Sequence, residues 1–134
     1  MNPVTRMGEL FHPAWGDQLK DFLNASREFY SAAKSFDGSI LLKIGNGTLW
    51  LKIYSGHVIE VQGKPSPFGF TFALSAPEDT WRALLQAGRN EILSFTGSGK
   101  ILVEGNFFEF MRLTKTVVGL VDGMRTIFQP NGSE

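Results

Sequence analysis

The spacing of apolar residues along the chain changes from the period of a helix to the period of a strand. From Asp17 onward, charged residues lie between apolar residues that recur three and four positions apart. The apolar residues are Leu19, Phe22, Leu23, Phe29, Tyr30 and Ala33. This spacing places one apolar stripe along a helix. The sequence therefore predicts a first helix from about Asp17, preceded by a turn at residues 12–16.

Alternating apolar residues then predict a run of strands. Ile40, Leu42 and Ile44 occupy every second position ahead of Asn46 and Gly47, a dipeptide that favours a tight hairpin turn. The return strand has one apolar face, formed by Leu49, Leu51 and Ile53. A turn at Ser55–Gly56 and a third strand over 58–62 follow, and a breaker-rich segment over 63–67 ends the third strand.

A fourth strand is predicted where apolar residues occupy every second position: Phe68, Phe70, Phe72 and Leu74. Three phenylalanines would then line one face of a single strand. Such a face suits a packed core, and it suits equally well a wall of aromatic rings against a bound apolar chain.

The second half of the chain predicts two further helices and a fifth strand. Ser75 and Glu78 have the spacing of a capping box, ahead of a helix that carries Trp81, Leu84 and Leu85 and stops at Gly88. The fifth strand covers 100–104, with Ile101 and Val103 inward and its neighbour in the sheet left open. A final helix, capped by Asn106, runs to about Thr126.

The apolar residues of this final helix cover more than one stripe. They are Phe107, Phe110, Met111, Leu113, Val117, Val118, Leu120, Val121, Met124 and Ile127. A face of this width indicates extra core, a dimer contact or one wall of a ligand cavity. The two methionines would adapt to varied apolar guests.

Composition narrows the function classes. A chain of 134 residues suits a single domain. Thirteen basic residues balance thirteen acidic ones, which argues against nucleic acid as a partner. The chain has no cysteine, and no apolar run reaches the ~18 residues that would indicate a membrane span. We therefore expect a cytoplasmic protein with no transmembrane segment.

Tests for catalytic motifs fail in most cases. The sequence contains no nucleophile elbow and no phosphate-binding loop, and its two histidines, His12 and His57, lack a metal-ligand spacing. No metal or cofactor is expected. Asp122 is the weak catalytic candidate, because a carboxylate on an apolar helix could be buried and act as an acid or base. The alternative is that Asp122 pairs with Arg125 on the solvated side of the helix.

The stretch from Ser75 to Arg125 carries a resemblance to a known family. The matching positions are Pro77, Glu78, Trp81, Leu84, Leu85 and Gly88, the segment Gly99-Lys100-Ile101-Leu102-Val103-Glu104-Gly105, and Arg112 with Leu113. This pattern resembles the sterol carrier protein 2 family. The resemblance implies a small α+β domain that encloses a hydrophobic tunnel for fatty acyl chains, sterols, isoprenoids or other lipids, and it implies binding and lipid transfer rather than catalysis.

The expected architecture is a five-stranded, mostly antiparallel sheet with helices over one face and a hydrophobic cavity between them. One domain would span 1–134, with a core of about 17–126 and flexible ends. Ligand contacts are expected from Phe70, Phe72, Leu74, Trp81, Leu84, Leu85, Phe107, Phe110, Met111, Val117, Leu120 and Met124. Two alternatives stay open, namely an enzyme that uses a buried carboxylate and a homodimeric interaction domain without ligand. Transient membrane contact is also compatible with a lipid carrier.

Overall fold

Five strands form a single sheet in the order β3-β2-β1-β4-β5 in the computed structural model, which describes residues 13–128. The strands are β1 (Asp37–Ile44), β2 (Gly47–Tyr54), β3 (His57–Gln62), β4 (Phe72–Ala76) and β5 (Leu102–Gly105). β1 and β4 are parallel, and the other neighbouring pairs are antiparallel. The predicted five-stranded, mostly antiparallel sheet is confirmed, and the neighbour of β5 is β4.

Helices lie over one face of this sheet. They are α1 (Pro13–Asn24), α2 (Arg27–Ala33), α3 (Glu78–Gln86), α4 (Ile92–Gly97), α5 (Phe107–Arg112) and α6 (Thr114–Phe128). The expected α+β class with helices on one face is confirmed. The predicted flexible ends fall mainly on residues 1–12 and 129–134, outside the described residues.

Both long helices predicted from the sequence are divided in two. Ser26 separates α1 from α2, because its hydroxyl accepts a hydrogen bond from the Phe29 amide at 3.1 Å and so caps a new helix. Leu113 separates α5 from α6. The predicted turn at residues 12–16 is also wrong from Pro13 onward, since α1 begins there and proline is well tolerated in a first helical turn.

The two hairpin turns follow the sequence closely. Ser55 and Gly56, with φ of 51° and 88°, connect β2 to β3 where predicted. Gly45 and Asn46 connect β1 to β2, one residue earlier than the predicted Asn46–Gly47 turn, because Gly45 takes the positive φ of 60°.

The predicted row of phenylalanines on β4 is wrong at its start. β4 begins at Phe72, and Phe68 and Phe70 lie in the preceding loop. Gly69 turns this loop with a φ of 81°, and its carbonyl accepts a hydrogen bond from Trp50 Nε1 at 2.9 Å. A side chain of β2 therefore holds the backbone that a strand would have paired with its neighbours.

Both ends of α3 also differ from the sequence prediction of a capping box at Ser75 and a stop at Gly88. Ser75 belongs to β4 rather than to a capping box, and Pro77 occupies the N-cap position without a side-chain cap. The Glu78 carboxylate instead pairs with Arg82 at 3.1 Å. The helix ends at an extended Ala87, and Gly88 does not adopt a positive φ.

The main hydrophobic core lies between the sheet and the helices. Alternate strand residues face it, and they include Ile40, Leu42, Leu49, Leu51, Ile53, Phe72 and Leu74. The opposite sheet face carries a small buried cluster of Leu41, Trp50 and Ala73, together with charged residues. Among these, Lys43 and Glu104 form an ion pair at 2.8 Å. The period of two thus separates a covered apolar face from a mixed one.

Candidate functional site

Nine of the twelve predicted ligand contacts are side chains of the main core. Phe72, Leu74, Trp81, Leu84, Leu85, Phe110, Val117, Leu120 and Met124 are all buried. The other three, Phe70, Phe107 and Met111, lie at the surface on α5 and on the loop before β4. The predicted set therefore extends from the interior to one end of the molecule.

Four aromatic rings connect that end with the interior. Phe107 stacks on Phe110 with ring centroids 5.8 Å apart, and Phe110 packs against Phe72 in a T-shaped arrangement, at 5.7 Å and an interplanar angle of 82°. Phe72 in turn stacks with Phe36 at 6.4 Å. Phe107 is half exposed, whereas Phe36 and Phe72 are buried. The series is an apolar route from solvent to the sheet face of the core.

Phe36 is the member of this series that the sequence interpretation missed. It lies immediately before β1 and precedes Ile40 by four positions, so it continues the same period-two pattern as Ile40 and Leu42. Gly38 interrupts the alternation between them. An extension of the strand pattern by four residues would have found Phe36.

α5 is held by its ends more than by its apolar side chains. Asn106 Oδ1 caps it by accepting a hydrogen bond from the Glu109 amide at 3.0 Å, as predicted. Arg112 pairs with Glu109 at 2.8 Å and donates to the Ser35 hydroxyl at 3.1 Å. Phe110 is the only residue of the helix that is buried. The helix therefore attaches to the core through one ring.

α3 forms a firmly attached wall on the opposite side of the core. The Trp81 indole donates a hydrogen bond to the Lys43 carbonyl at 3.0 Å, so the buried ring is joined to β1 as well as packed. Arg125 donates to the Leu84 carbonyl at 2.9 Å, which joins α3 to α6. Polar contacts at both places hold the helix over the sheet.

α6 is in close contact with α1 and α2. A Cβ atom at Gly123 would lie 3.1 Å from Leu19 Cδ1, and one at Gly119 would lie 3.3 Å from Phe29 Cδ1. The wide apolar face of α6 is thus occupied within one chain, and Val117, Leu120, Val121 and Met124 are all buried there. This burial removes the width of the final helix as an argument for a dimer.

Asp122 does not have the environment that a catalytic carboxylate would need. It is exposed, and its Oδ1 accepts a hydrogen bond from Asn90 Nδ2 at 2.8 Å. The alternative pairing with Arg125 is not formed, since that guanidinium donates to Leu84 instead. None of the aspartates or glutamates between residues 13 and 128 is buried. The buried carboxylate that the enzyme alternative requires is therefore not present among these residues.

No three His, Cys, Asp or Glu side chains in the described part of the chain are grouped so that they could hold a metal ion. Open grooves are present on this part of the chain. One, of about 630 Å³, lies between α2 and α6 and is lined by residues that include Arg27, Ala32, Lys115 and Asp122. A second groove, of about 460 Å³, lies on the mixed sheet face beside Trp50, Phe68 and Phe70. The expected enclosed cavity is not shown among residues 13–128, where the core side chains pack against one another.

Comparison with solved structures shows what this arrangement resembles. A crystal structure of sterol carrier protein 2 superposes with a TM-score of 0.76 at 24% identity, over 87% of this chain and 98% of that one. The chain has the sterol carrier protein 2 fold. A conserved hypothetical protein of Thermus thermophilus matches the fold at 23% identity and a TM-score of 0.76, over 89% of this chain and 90% of its own. The apo form of sterol carrier protein 2 from Yarrowia lipolytica gives 18% identity and a TM-score of 0.57, over 93% and 95% of the two chains.

No protein-family model matches the sequence, and no curated protein matches it either. The sterol carrier protein 2 fold is thus shown by its three-dimensional likeness, which covers most of each chain compared. Within residues 13–128, no helix combines the length and the apolar character needed to cross a bilayer.

Proposed function

We propose that this protein binds an apolar molecule between its sheet and its helices and acts as a carrier or presenter of that molecule. The ligand class is a fatty acyl chain, a sterol, an isoprenoid or a similar lipid. The observation that carries the proposal is the series of rings from half-exposed Phe107 to buried Phe36. Likeness to solved structures named sterol carrier protein 2 supports the same assignment.

The portal in this proposal is α5. Because Phe110 is its single buried residue, a small outward movement of the helix withdraws one ring from Phe72 and opens the sheet face of the core. α3 stays in place, since Trp81 joins it to β1. The break at Leu113 lets α5 move independently of α6.

Ligand binding then replaces side-chain contacts within the core by contacts with the ligand. Met124 lies among the core residues of α6, and its unbranched side chain adapts to a change of shape more easily than a branched one. Transfer of apolar surface from water contributes about 0.8 kcal/mol per methylene, so a chain of about ten methylenes gains about 8 kcal/mol before the cost of opening the core. Such binding selects for apolar area and is broad in specificity.

Native mass spectrometry of the purified protein tests this proposal, followed by denaturation and extraction of any retained molecule. A one-to-one complex with a fatty acid, phospholipid or isoprenoid is the expected result. A titration of the ligand-free protein with a fluorescent fatty acid supplies the affinity. The proposal fails if the protein carries no lipid and the titration shows no saturable binding to fatty acids, sterols or isoprenoid alcohols.

A further inference from the structure

Five large apolar side chains are exposed on two segments, α5 and the loop before β4. Phe68 and Phe108 are 94% and 87% exposed, and Phe107 and Met111 are 56% and 55% exposed. Phe70 is 36% exposed. We call these five residues the aromatic surface. Single exposed apolar residues are ordinary on proteins, but a contiguous group of this size marks a place of interaction.

The two segments that supply the aromatic surface meet. The Asn106 amide donates a hydrogen bond to the Thr71 carbonyl at 2.9 Å, and this pair lies between Phe70 on one segment and Phe107 on the other. A Cβ atom at Gly105 would lie 3.1 Å from the Phe70 ring. The loop before β4 and the start of α5 therefore present their rings side by side.

The exposure of these rings is built into the fold. The Gly69 carbonyl accepts hydrogen bonds from Trp50 Nε1 at 2.9 Å and from the Ser39 hydroxyl at 3.3 Å, which fixes the loop between Phe68 and Phe70. α5 is fixed by its Asn106 cap. Two independent sets of hydrogen bonds thus fix the two backbone segments that carry the exposed rings.

The area of the aromatic surface disfavours a second copy of the chain as its occupant. Since a fully exposed aromatic side chain presents about 150–250 Å², the five residues together expose roughly 650 Å², which is below the ~800 Å² per partner of a standard stable interface. A fluid bilayer needs no matching protein surface, and it accommodates rings as exposed as Phe68 and Phe108.

The charges near the aromatic surface indicate the kind of bilayer. Glu109 and Arg112 are the charged residues of α5, and they neutralise each other at 2.8 Å. The helix therefore offers no excess of positive charge for anionic head groups and no free carboxylate on α5 to be repelled by phosphate. Beside Phe68 and Phe70, Lys52 and Glu60 line the same groove and add one charge of each sign. A surface without excess charge matches a zwitterionic interface, where burial of the rings supplies the binding free energy.

We infer that the aromatic surface docks reversibly on zwitterionic phospholipid bilayers, with Phe68 and Phe108 inserted among the head groups. Docking of this kind brings α5 to the membrane. The inference concerns the outer surface of the protein and stands apart from ligand binding in its interior.

Co-sedimentation with phosphatidylcholine vesicles tests the inference at low and at high salt. The test variant is Phe68→Glu/Phe108→Glu, because both side chains are almost fully exposed and their replacement leaves the core intact. The matched control is Tyr54→Glu/Leu93→Glu, which places the same charges at exposed apolar residues elsewhere. We expect the wild type and the control to bind vesicles equally at both salt concentrations. The affinity of the test variant for the vesicles should be lower by at least about tenfold.

Three results would overturn the inference: wild-type protein that stays in the supernatant, a control that loses as much binding as the test variant, or binding that high salt abolishes. Sedimentation velocity adds a fourth, since a wild-type dimer that Phe68→Glu/Phe108→Glu converts to a monomer would make a second copy the occupant. A fatty acid titration without vesicles is run on the same variants. Unchanged titration together with lost vesicle binding supports docking as a separate property, whatever ligand the interior takes.

Discussion

Phe110 meets Phe72 almost perpendicularly, at an interplanar angle of 82° and a centroid distance of 5.7 Å, and this contact packs the one buried ring of α5 against β4. An aromatic pair in this geometry contributes about 0.5–1.5 kcal/mol beyond the area that it buries. Both the stability of this end of the fold and access to the core are therefore expected to depend on Phe110.

Phe110→Ala should destabilise the protein and speed the association of ligand. Loss of the ring costs about 3 kcal/mol, because it removes apolar contact and leaves a space beside Phe72. The same space would widen the proposed portal at α5. Urea unfolding measures the first effect, and stopped-flow mixing with a fluorescent fatty acid measures the second.

The matched control for this prediction is Phe95→Ala, which also removes a buried phenylalanine but from α4. It should destabilise the protein without changing the association rate. Equal rates for the wild type and Phe110→Ala would place the portal elsewhere.

Trp81→Phe should lower the free energy of unfolding by about 1–3 kcal/mol, because it leaves the Lys43 carbonyl without its indole donor while keeping an aromatic ring in the core. Arg82→Ala is the control on the same helix. Arg82 pairs with Glu78 and Asp79 at a partly exposed site, so its loss should cost less than about 1 kcal/mol. Urea unfolding measures the free energy of unfolding of both variants. A larger loss for Arg82→Ala than for Trp81→Phe would contradict the prediction.

Gly105→Ala should be more destabilising than Gly99→Ala, although both glycines have a positive φ, of 92° and 83°. A Cβ atom at position 105 would lie 2.8 Å from the Thr71 carbonyl oxygen, whereas one at position 99 meets nothing within 4 Å. Gly99→Ala therefore measures the backbone strain alone, about 1–2 kcal/mol. Thermal unfolding should give a clearly lower midpoint for Gly105→Ala, and equal midpoints would show that β5 can shift away from Thr71.

Asp122→Asn should leave both stability and ligand affinity unchanged. The side chain is exposed, and asparagine keeps the oxygen that accepts from Asn90. We expect the free energy of unfolding to change by less than about 0.5 kcal/mol. Fatty acid titration and urea unfolding provide the measurements. A large fall in affinity would mean that the α6 surface near Asn90 takes part in binding.

Local patterns predicted the first three strands well. The two turns between them need residues that accept a positive φ, and Gly45, Ser55 and Gly56 supply them within a few positions of the alternating strands. Each of these turns joins strands that are close together in the chain. The helix cap of Asn106 was predicted for the same reason, since it involves only the next turn.

The candidate site was predicted less completely. The apolar period identified Trp81, Leu84 and Leu85 as a buried stripe, and the structure buries all three. Periodicity cannot tell a packed core from a ligand-lined one, because both require the same apolar residues. It also assigned Phe68 and Phe70 to β4, since alternation alone does not reveal that Trp50 holds the Gly69 carbonyl.

The sequence by itself determined the α+β class, the three-stranded meander, the apolar stripe of α3 and the cap of α5, because each depends on local spacing. Tertiary structure alone decided that β4 lies parallel to β1 and between β1 and β5, since that pairing joins segments far apart in the chain. It also decided which phenylalanines are buried. Phe72 lies on the covered sheet face, whereas a hydrogen bond from a distant tryptophan turns the loop at Gly69 and leaves Phe68 in water.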